Sequence, residues 1–265
     1  MRPYVVMGIV NVTPDSFSDG GQFLDPEAAV EHGLELAEQG AAILDVGGAS
    51  TRPGAEPVPV ETELERAVPV VERLAAAGQR VSIDTSKHEV AAAALEAGAT
   101  LVNDVSAFRS APEIAGLVAD ARADCCLVHM RGEPRTMQAE ARYDDVVADV
   151  KAFLEERLEF ARSAGIAEER VWLDPGIGFA KTAEHNLELL RRLPELVAIG
   201  RPLVIGTSRK SFLGRLLGGR EPEERLPGTI ATNVMAFERG ASVFRVHDVA
   251  PVADALAIAA ATFGP

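Results

Sequence analysis

Nine polar residues stand at or just past the ends of short apolar runs: Asn11, Asp45, Asp84, Asn103, His129, Asp174, Lys210, Arg245 and His247. An unpaired amide or charge inside an apolar interior is costly. A ring of them at strand ends therefore reads as a ligand site. The ring divides by chemistry. Asp84, Asn103, Asp174 and Lys210 mix acceptors with donors. One carboxylate accepts two adjacent N–H groups side by side, and a lysine donates to a carbonyl or ring nitrogen. This set suits a flat heterocycle with an amidine-like edge. Asn11, Arg52, Arg245 and His247 form the second set. Two guanidiniums, an imidazole and an amide suit a phosphate, with or without a metal ion. Asp45 and His129 are expected to be structural members of the ring. Lys87 and Lys181 also follow apolar runs, but they are read as solvated or helix-terminal.

These residues need strands to carry them. The apolar runs are residues 4–11, 42–46, 81–84, 101–104, 125–129, 171–174, 203–206 and 242–246. Each is continuous rather than alternating, the pattern of strands buried on both faces. Helix signals lie between them. Asp25-Pro26 offers an N-cap and a proline at the first helical position. Ser86 with Glu89 and Ser110 with Glu113 have capping-box spacing. Asp144 precedes an apolar stripe from Val146 to Leu158 at helical spacing. Pro69 is expected to kink a helix that begins near Glu61. Gly40, Gly78 and Gly98 are expected to end helices. Eight such units imply an α/β fold, a single-domain (β/α)8 TIM barrel over residues 1–265, with its site at the C-terminal ends of the strands. A doubly wound open sheet is the alternative. Three strand-to-helix loops, 12–24, 47–59 and 130–143, are long enough to be functional.

Composition narrows the function classes. The 265 residues are 47% hydrophobic and 25% charged, and the net charge is −14. So acidic a chain disfavours general binding to nucleic acid or to anionic membranes, and an anionic substrate would need local cations. No apolar run is long enough to span a membrane, and residues 4–10 are too short and lack the cleavage pattern of a signal peptide. Cys125 and Cys126 are adjacent in a predicted strand, so they face opposite ways and form no disulfide framework. Reduced thiols fit a cytoplasmic protein. Residues 176–182 look like a phosphate loop but lack its Gly-Lys pair. No Gly-x-Ser-x-Gly elbow is present, and the five histidines have no zinc-ligand spacing.

Seven segments in order then carry a resemblance: Asn11-Val12-Thr13-Pro14-Asp15-Ser16-Phe17-Ser18-Asp19-Gly20-Gly21, Asp45 to Gly54, Ser82-Ile83-Asp84-Thr85-Ser86-Lys87, Asn103-Asp104-Val105-Ser106, Leu173 to Phe179, Gly206 to Ser211, and Arg245-Val246-His247-Asp248-Val249. Over essentially the whole chain the sequence resembles the dihydropteroate synthase family of pterin-binding enzymes. It departs at Ala49, where the family usually has glutamate. The resemblance implies a (β/α)8 barrel that condenses 6-hydroxymethyl-7,8-dihydropterin diphosphate with 4-aminobenzoate. It implies that Asp84, Asn103, Asp174 and Lys210 bind the pterin, with Met130 and Phe179 as apolar walls. Asn11, Arg52, Arg245 and His247 would take the diphosphate, Asn11 also holding Mg²⁺. Pro14, Phe17, Thr51 and Ser208 would line the aminobenzoate side, and Asp84, Lys210, Arg245 and His247 would carry catalysis. It also suggests a homodimer. A pterin-dependent methyltransferase and a non-catalytic pterin-binding paralogue are the alternatives.

Overall fold

A computed structural model describes residues 3–13, 26–50, 54–132, 137 and 141–263. Eight parallel strands, β1 (Val5–Asn11), β2 (Ile43–Gly47), β3 (Val81–Asp84), β4 (Leu101–Asp104), β5 (Asp124–Val128), β6 (Val171–Asp174), β7 (Val204–Ile205) and β8 (Val243–Val246), form one sheet. Its order is β6-β5-β4-β3-β2-β1-β8-β7. An isolated bridge between Leu173 and Leu203, with Leu173 N donating to Pro202 O at 3.0 Å, joins the two ends into a barrel. The helices α1 (Pro26–Glu38), α2 (Val60–Ala76), α3 (His88–Glu96), α4 (Ile114–Ala121), α5 (Val146–Ser163), α6 (Ala183–Arg191), α7 (Leu193–Val197), α8 (Ser211–Leu216), α9 (Leu226–Glu238) and α10 (Val249–Phe263) alternate with the strands. This is the expected TIM barrel. Among the described residues no helix is long and apolar enough to cross a membrane.

The period of two along each strand builds two cores. Met7, Ile43, Leu101, Cys126, Trp172, Val204 and Val243 meet in an inner cluster. Their chain neighbours Val6, Leu44, Val102, Cys125, Leu173, Ile205 and Phe244 join the larger cluster with the helices. Cys125 and Cys126 thus fall on opposite sides of β5, as adjacent strand residues must. Both thiols are free, and burial pushes both well above the usual thiol range.

Three helix starts differ from expectation. Helix α3 begins after Lys87 and α4 after Glu113, and neither has a side-chain cap. Thr85 Oγ1 accepts from Lys87 N at 3.2 Å, which occupies the turn that Ser86 was expected to cap. Before α4, bonds from Ile114 N to Ala111 O and from Ala115 N to Pro112 O take up the first amides, so Ser110 has no capping role. Asp145, not Asp144, caps α5, accepting from Val147 N at 2.9 Å and Ala148 N at 3.1 Å. Helix α2 runs without a break through Pro69. Gly40, Gly78 and Gly98 end their helices at φ of 107°, 80° and 106°, the left-handed exit that glycine adopts without a Cβ penalty.

Candidate active site

The same alternation sorts the polar residues. Positions sharing the parity of the inner cluster carry Asn11, Asp45, Asp84, Asn103, Asp174 and Arg245. Asp84 and Asn103 sit side by side in register across β3 and β4. At the C-terminal mouth of the barrel one cavity is lined by Asp84, Asn103, Asp174 and Lys210, together with Arg245 and His247. Phe179 and Ser208 line it as well.

Two carboxylates hold Arg245 of this cavity in place. Arg245 Nε donates to Asp45 Oδ2 at 2.5 Å, and its Nη2 donates to Asp84 Oδ2 at 2.7 Å. Asp45 is fully buried and also accepts from Asn103 Nδ2 at 3.0 Å. It therefore aligns Arg245 and Asn103 from below, the structural role expected of it. Asp174 Oδ1 accepts from Gly176 N at 2.7 Å, which fixes the carboxylate at the foot of the next loop. Lys210 Nζ lies 4.0 Å from the centroid of the Phe179 ring, a cation–π contact. Ser208 Oγ is 3.0 Å from His247 Nδ1 and accepts from His247 N at 3.1 Å, so the β7 and β8 loops are tied together. Arg209, left-handed at φ 57°, makes a two-point ion pair with Asp248 at 3.0 and 2.6 Å in the same place.

Burial sets the electrostatics. It pushes the Asp84 carboxyl up to about 7, against the pull of Arg245 and with the push of Asp45, Glu63 and Asp104. It raises Asp174 as well, opposed by the Gly176 N–H, Lys210, Arg245 and Lys181. Burial lowers the Lys210 ammonium to about 8, opposed by Asp174 and Asp84.

Two residues stand elsewhere than expected. His129 was read as part of the ring, but it shares the outward parity of Cys125 and Leu127. Its ring meets Phe153 of α5 edge-on at 4.8 Å, behind the barrel wall. Lys181 was read as solvated or helix-terminal, yet it is 3% exposed. Its Nζ lies 2.8 Å from His129 Nδ1 and donates to Phe179 O at 3.0 Å. Lys87 does precede a helix, but its ammonium pairs with Glu63, a buried carboxylate that also accepts from Thr85 Oγ1 at 2.6 Å. Neither Glu63 nor the buried state of Lys181 was read from the sequence. A signal was present: the chain has four lysines against twenty-two arginines, and three of the four follow strands. A compact ammonium is retained where a guanidinium fork would not fit.

Met130 packs with Val105 and Val128 in the inner cluster and lines an adjoining cleft with Lys87 and Arg109. Pro14, Phe17, Thr51 and Arg52 lie outside the described residues. For a metal, the described residues contain no group of three His, Cys, Asp or Glu side chains placed to hold an ion. They do offer an amide oxygen. A Cβ at Gly47 would meet both Asp84 Oδ2, at 3.8 Å, and Asn11 Oδ1, at 3.9 Å. Glycine there keeps the space between them open. A lone amide oxygen on Asn11 fits a Mg²⁺ ion whose other ligands are water and substrate phosphate, the usual manner of this ion.

Comparison with known proteins agrees with this geometry. Residues 7–247 match a family model described as pterin binding enzyme. A dihydropteroate synthase from Mycobacterium leprae (strain TN) is 49% identical over 98% of this chain and 94% of its own length. A solved structure of Xanthomonas albilineans dihydropteroate synthase with 4-aminobenzoic acid superposes with a TM-score of 0.93 at 50% identity, covering 100% of this chain and 94% of that one. Another structure of the Xanthomonas albilineans enzyme, in complex with 7,8-dihydropteroate, gives a TM-score of 0.89 at 48% identity over 100% of this chain and 95% of that one.

Proposed function

The chain belongs to the pterin-binding enzyme family, and from that premise we infer that its barrel mouth carries out the dihydropteroate synthase reaction of folate biosynthesis. 6-Hydroxymethyl-7,8-dihydropterin diphosphate and 4-aminobenzoate condense to 7,8-dihydropteroate and pyrophosphate. The observation that carries this reading is the convergence of Asp84, Asn103, Asp174 and Lys210 on one cavity that Arg245 and His247 also line.

In this reading Asp174 accepts from the pterin amide N–H and 2-amino group. Asn103 and Asp84 hold the opposite edge, and Lys210 donates to the carbonyl side. Phe179 and Met130 are the apolar walls. The arylamine is neutral near pH 7 and needs no general base to attack. The barrier lies in breaking the C–O bond between the pterin methylene and the diphosphate. As that bond opens, Asp84 stabilises the positive charge spreading over the ring, while Arg245, His247 and Arg52 receive the departing anion. The C–N bond then forms, and the amine gives up a proton. Asn11 would hold Mg²⁺ on the diphosphate, and that ion supplies charge neutralisation of the leaving group. Pro14, Phe17 and Thr51, with Ser208, complete the aminobenzoate side and exclude water that would trap the cation.

The test is pyrophosphate release from the dihydropterin diphosphate with Mg²⁺, with and without 4-aminobenzoate. Release in step with dihydropteroate is the expected result. Tight pterin binding without release would instead mean a non-catalytic paralogue or a methyltransferase, and would remove the roles given to Asn11, Arg245 and His247.

The pH dependence has a definite sign. Asp84 acts as an anion, so kcat/KM rises as pH passes upward through its value of about 7. Lys210 acts as a cation, so kcat/KM falls as pH passes upward through about 8. The profile is expected to be a narrow bell, and Lys210→Met should lose its alkaline limb. An alkaline limb that persists in the variant would assign it to another group.

A second copy of the chain is the proposed protein partner. Three of the four large exposed apolar side chains among the described residues, Met235, Ile258 and Phe263, stand on the neighbouring helices α9 and α10. The sedimentation mass of the native protein decides this, a monomer overturning it. The buried reduced thiols of β5 support a cytoplasmic setting, and cell fractionation that places the protein elsewhere would refute it.

A further inference from the structure

Lys181 is a buried ionisable group that the reaction does not use. It ends the loop that begins at Asp174, and its side chain turns back beneath that loop. There its Nζ lies between the His129 imidazole, 2.8 Å away, and the carbonyl of Phe179, 3.0 Å away. His129 N donates to Asp174 O at 2.9 Å, so this lysine links the far end of the loop to the strand pair from which the loop departs. Phe179 N donates to Gly176 O at 3.0 Å, Gly178 N donates to Asn186 Oδ1 at 2.8 Å, and Ala180 turns left-handed at φ 49°. Burying an amine this deeply disfavours its charge, and burial lowers the Lys181 ammonium well below the lysine range. Either protonation state of the amine still carries the two N–H donors that two acceptors require. His129 is suited to accept: burial first, then Lys181 and Arg131, lower its pKa to about 2, so the ring is neutral.

We propose that Lys181 is a positioning residue for the pterin pocket. By donating to His129 Nδ1 and Phe179 O from beneath the loop, it holds the Phe179 ring against Lys210 and keeps Asp174 set for the pterin edge. Phe179 is the contact that transmits the effect, because its carbonyl is fixed on one side while its ring lies over Lys210 on the other. The inference rests on the pterin reading of the cavity.

Lys181→Met keeps a linear side chain and removes both donors. Misplacing a binding group by a fraction of an ångström weakens ground-state and transition-state binding alike, so KM for the pterin diphosphate is expected to rise about ten-fold with kcat changed less than about three-fold. His129→Asn keeps an acceptor at the Nδ1 position and is expected to stay within about three-fold of the parent in both constants. The parent chain supplies a second readout should Lys181→Met fail to fold. In ¹⁵N spectra, His129 is expected to remain neutral with its proton on Nε2 from pH 5 to pH 8. Unchanged KM in Lys181→Met, or an imidazole that titrates in that range, overturns the inference and leaves the pterin reading intact. A parent chain that binds no pterin overturns both.

Discussion

Asp84→Asn is expected to lower kcat by about 10²- to 10³-fold, the usual effect of removing one electrostatic contact to the transition state. Affinity for the free pterin should change by less than about ten-fold, since the amide can still hold the ring edge. The separation follows from where the charge appears. Bound pterin is neutral, and a carboxylate gains little over an amide beside it. Once pyrophosphate begins to leave, the ring becomes cationic and the carboxylate is worth far more. The surroundings should survive the change, because Arg245 keeps its bond to Asp45 and Asn103 keeps its own bond to the same oxygen. The measurement pairs single-turnover rates with equilibrium binding of the pterin. Equal losses in both would reduce Asp84 to a binding residue.

Gly176→Ala is expected to destabilise the fold by about 4 kcal/mol or more, in the range reserved for outright steric conflict. A Cβ at this position would sit 1.8 Å from the carbonyl oxygen of His129, a backbone atom whose own residue is tied by its amide to Asp174 O at the end of the β5–β6 pair. The residue is also left-handed, at φ 66°. Gly200 separates the two causes. It is left-handed at φ 85°, but nothing lies within 4 Å of its Cβ position. Gly200→Ala should therefore cost only about 1 kcal/mol, the conformational penalty alone. Urea denaturation of both variants checks the difference. Similar losses would show that backbone angle, and not the His129 carbonyl, demands glycine at 176.

Strand ends were the most legible feature of the sequence. Strands β3, β4 and β6 begin and end where their apolar runs do, because each is paired along its whole length inside the barrel. Strand β7 was expected over residues 203–206 but keeps only Val204 and Ile205, since its ladder to β8 is two residues long. The acceptor and donor sets of the cavity could be read from residue types at those ends. His129 faces outward because β5 ends at Val128, one residue before its apolar run does, and at a period of two, one residue reverses the face. Lys181 was missed for a different reason. Local sequence shows that it precedes Thr182, the cap of α6. Nothing local reveals that its side chain turns back toward a histidine fifty-two positions earlier. Glu63 is similar, since an acidic residue in the first turn of a helix normally faces solvent and favours the helix dipole. Only the packing of α2 against the β3 loop encloses it.

The single bridge between Leu173 and Leu203 makes the barrel wall a cylinder fastened at one point along its length. Asp174 ends the strand on one side of that fastening, and Lys210 follows the strand on the other. A ring that donates to Asp174 and accepts from Lys210 therefore clasps the wall shut. Substrate capture and barrel closure become one equilibrium there, so a pterin present at a hundred times its dissociation constant would add about 2.7 kcal/mol to the folded state. The chain thus leaves its weakest joint beneath the molecule it binds, and the empty enzyme should breathe along β7 while the occupied one does not.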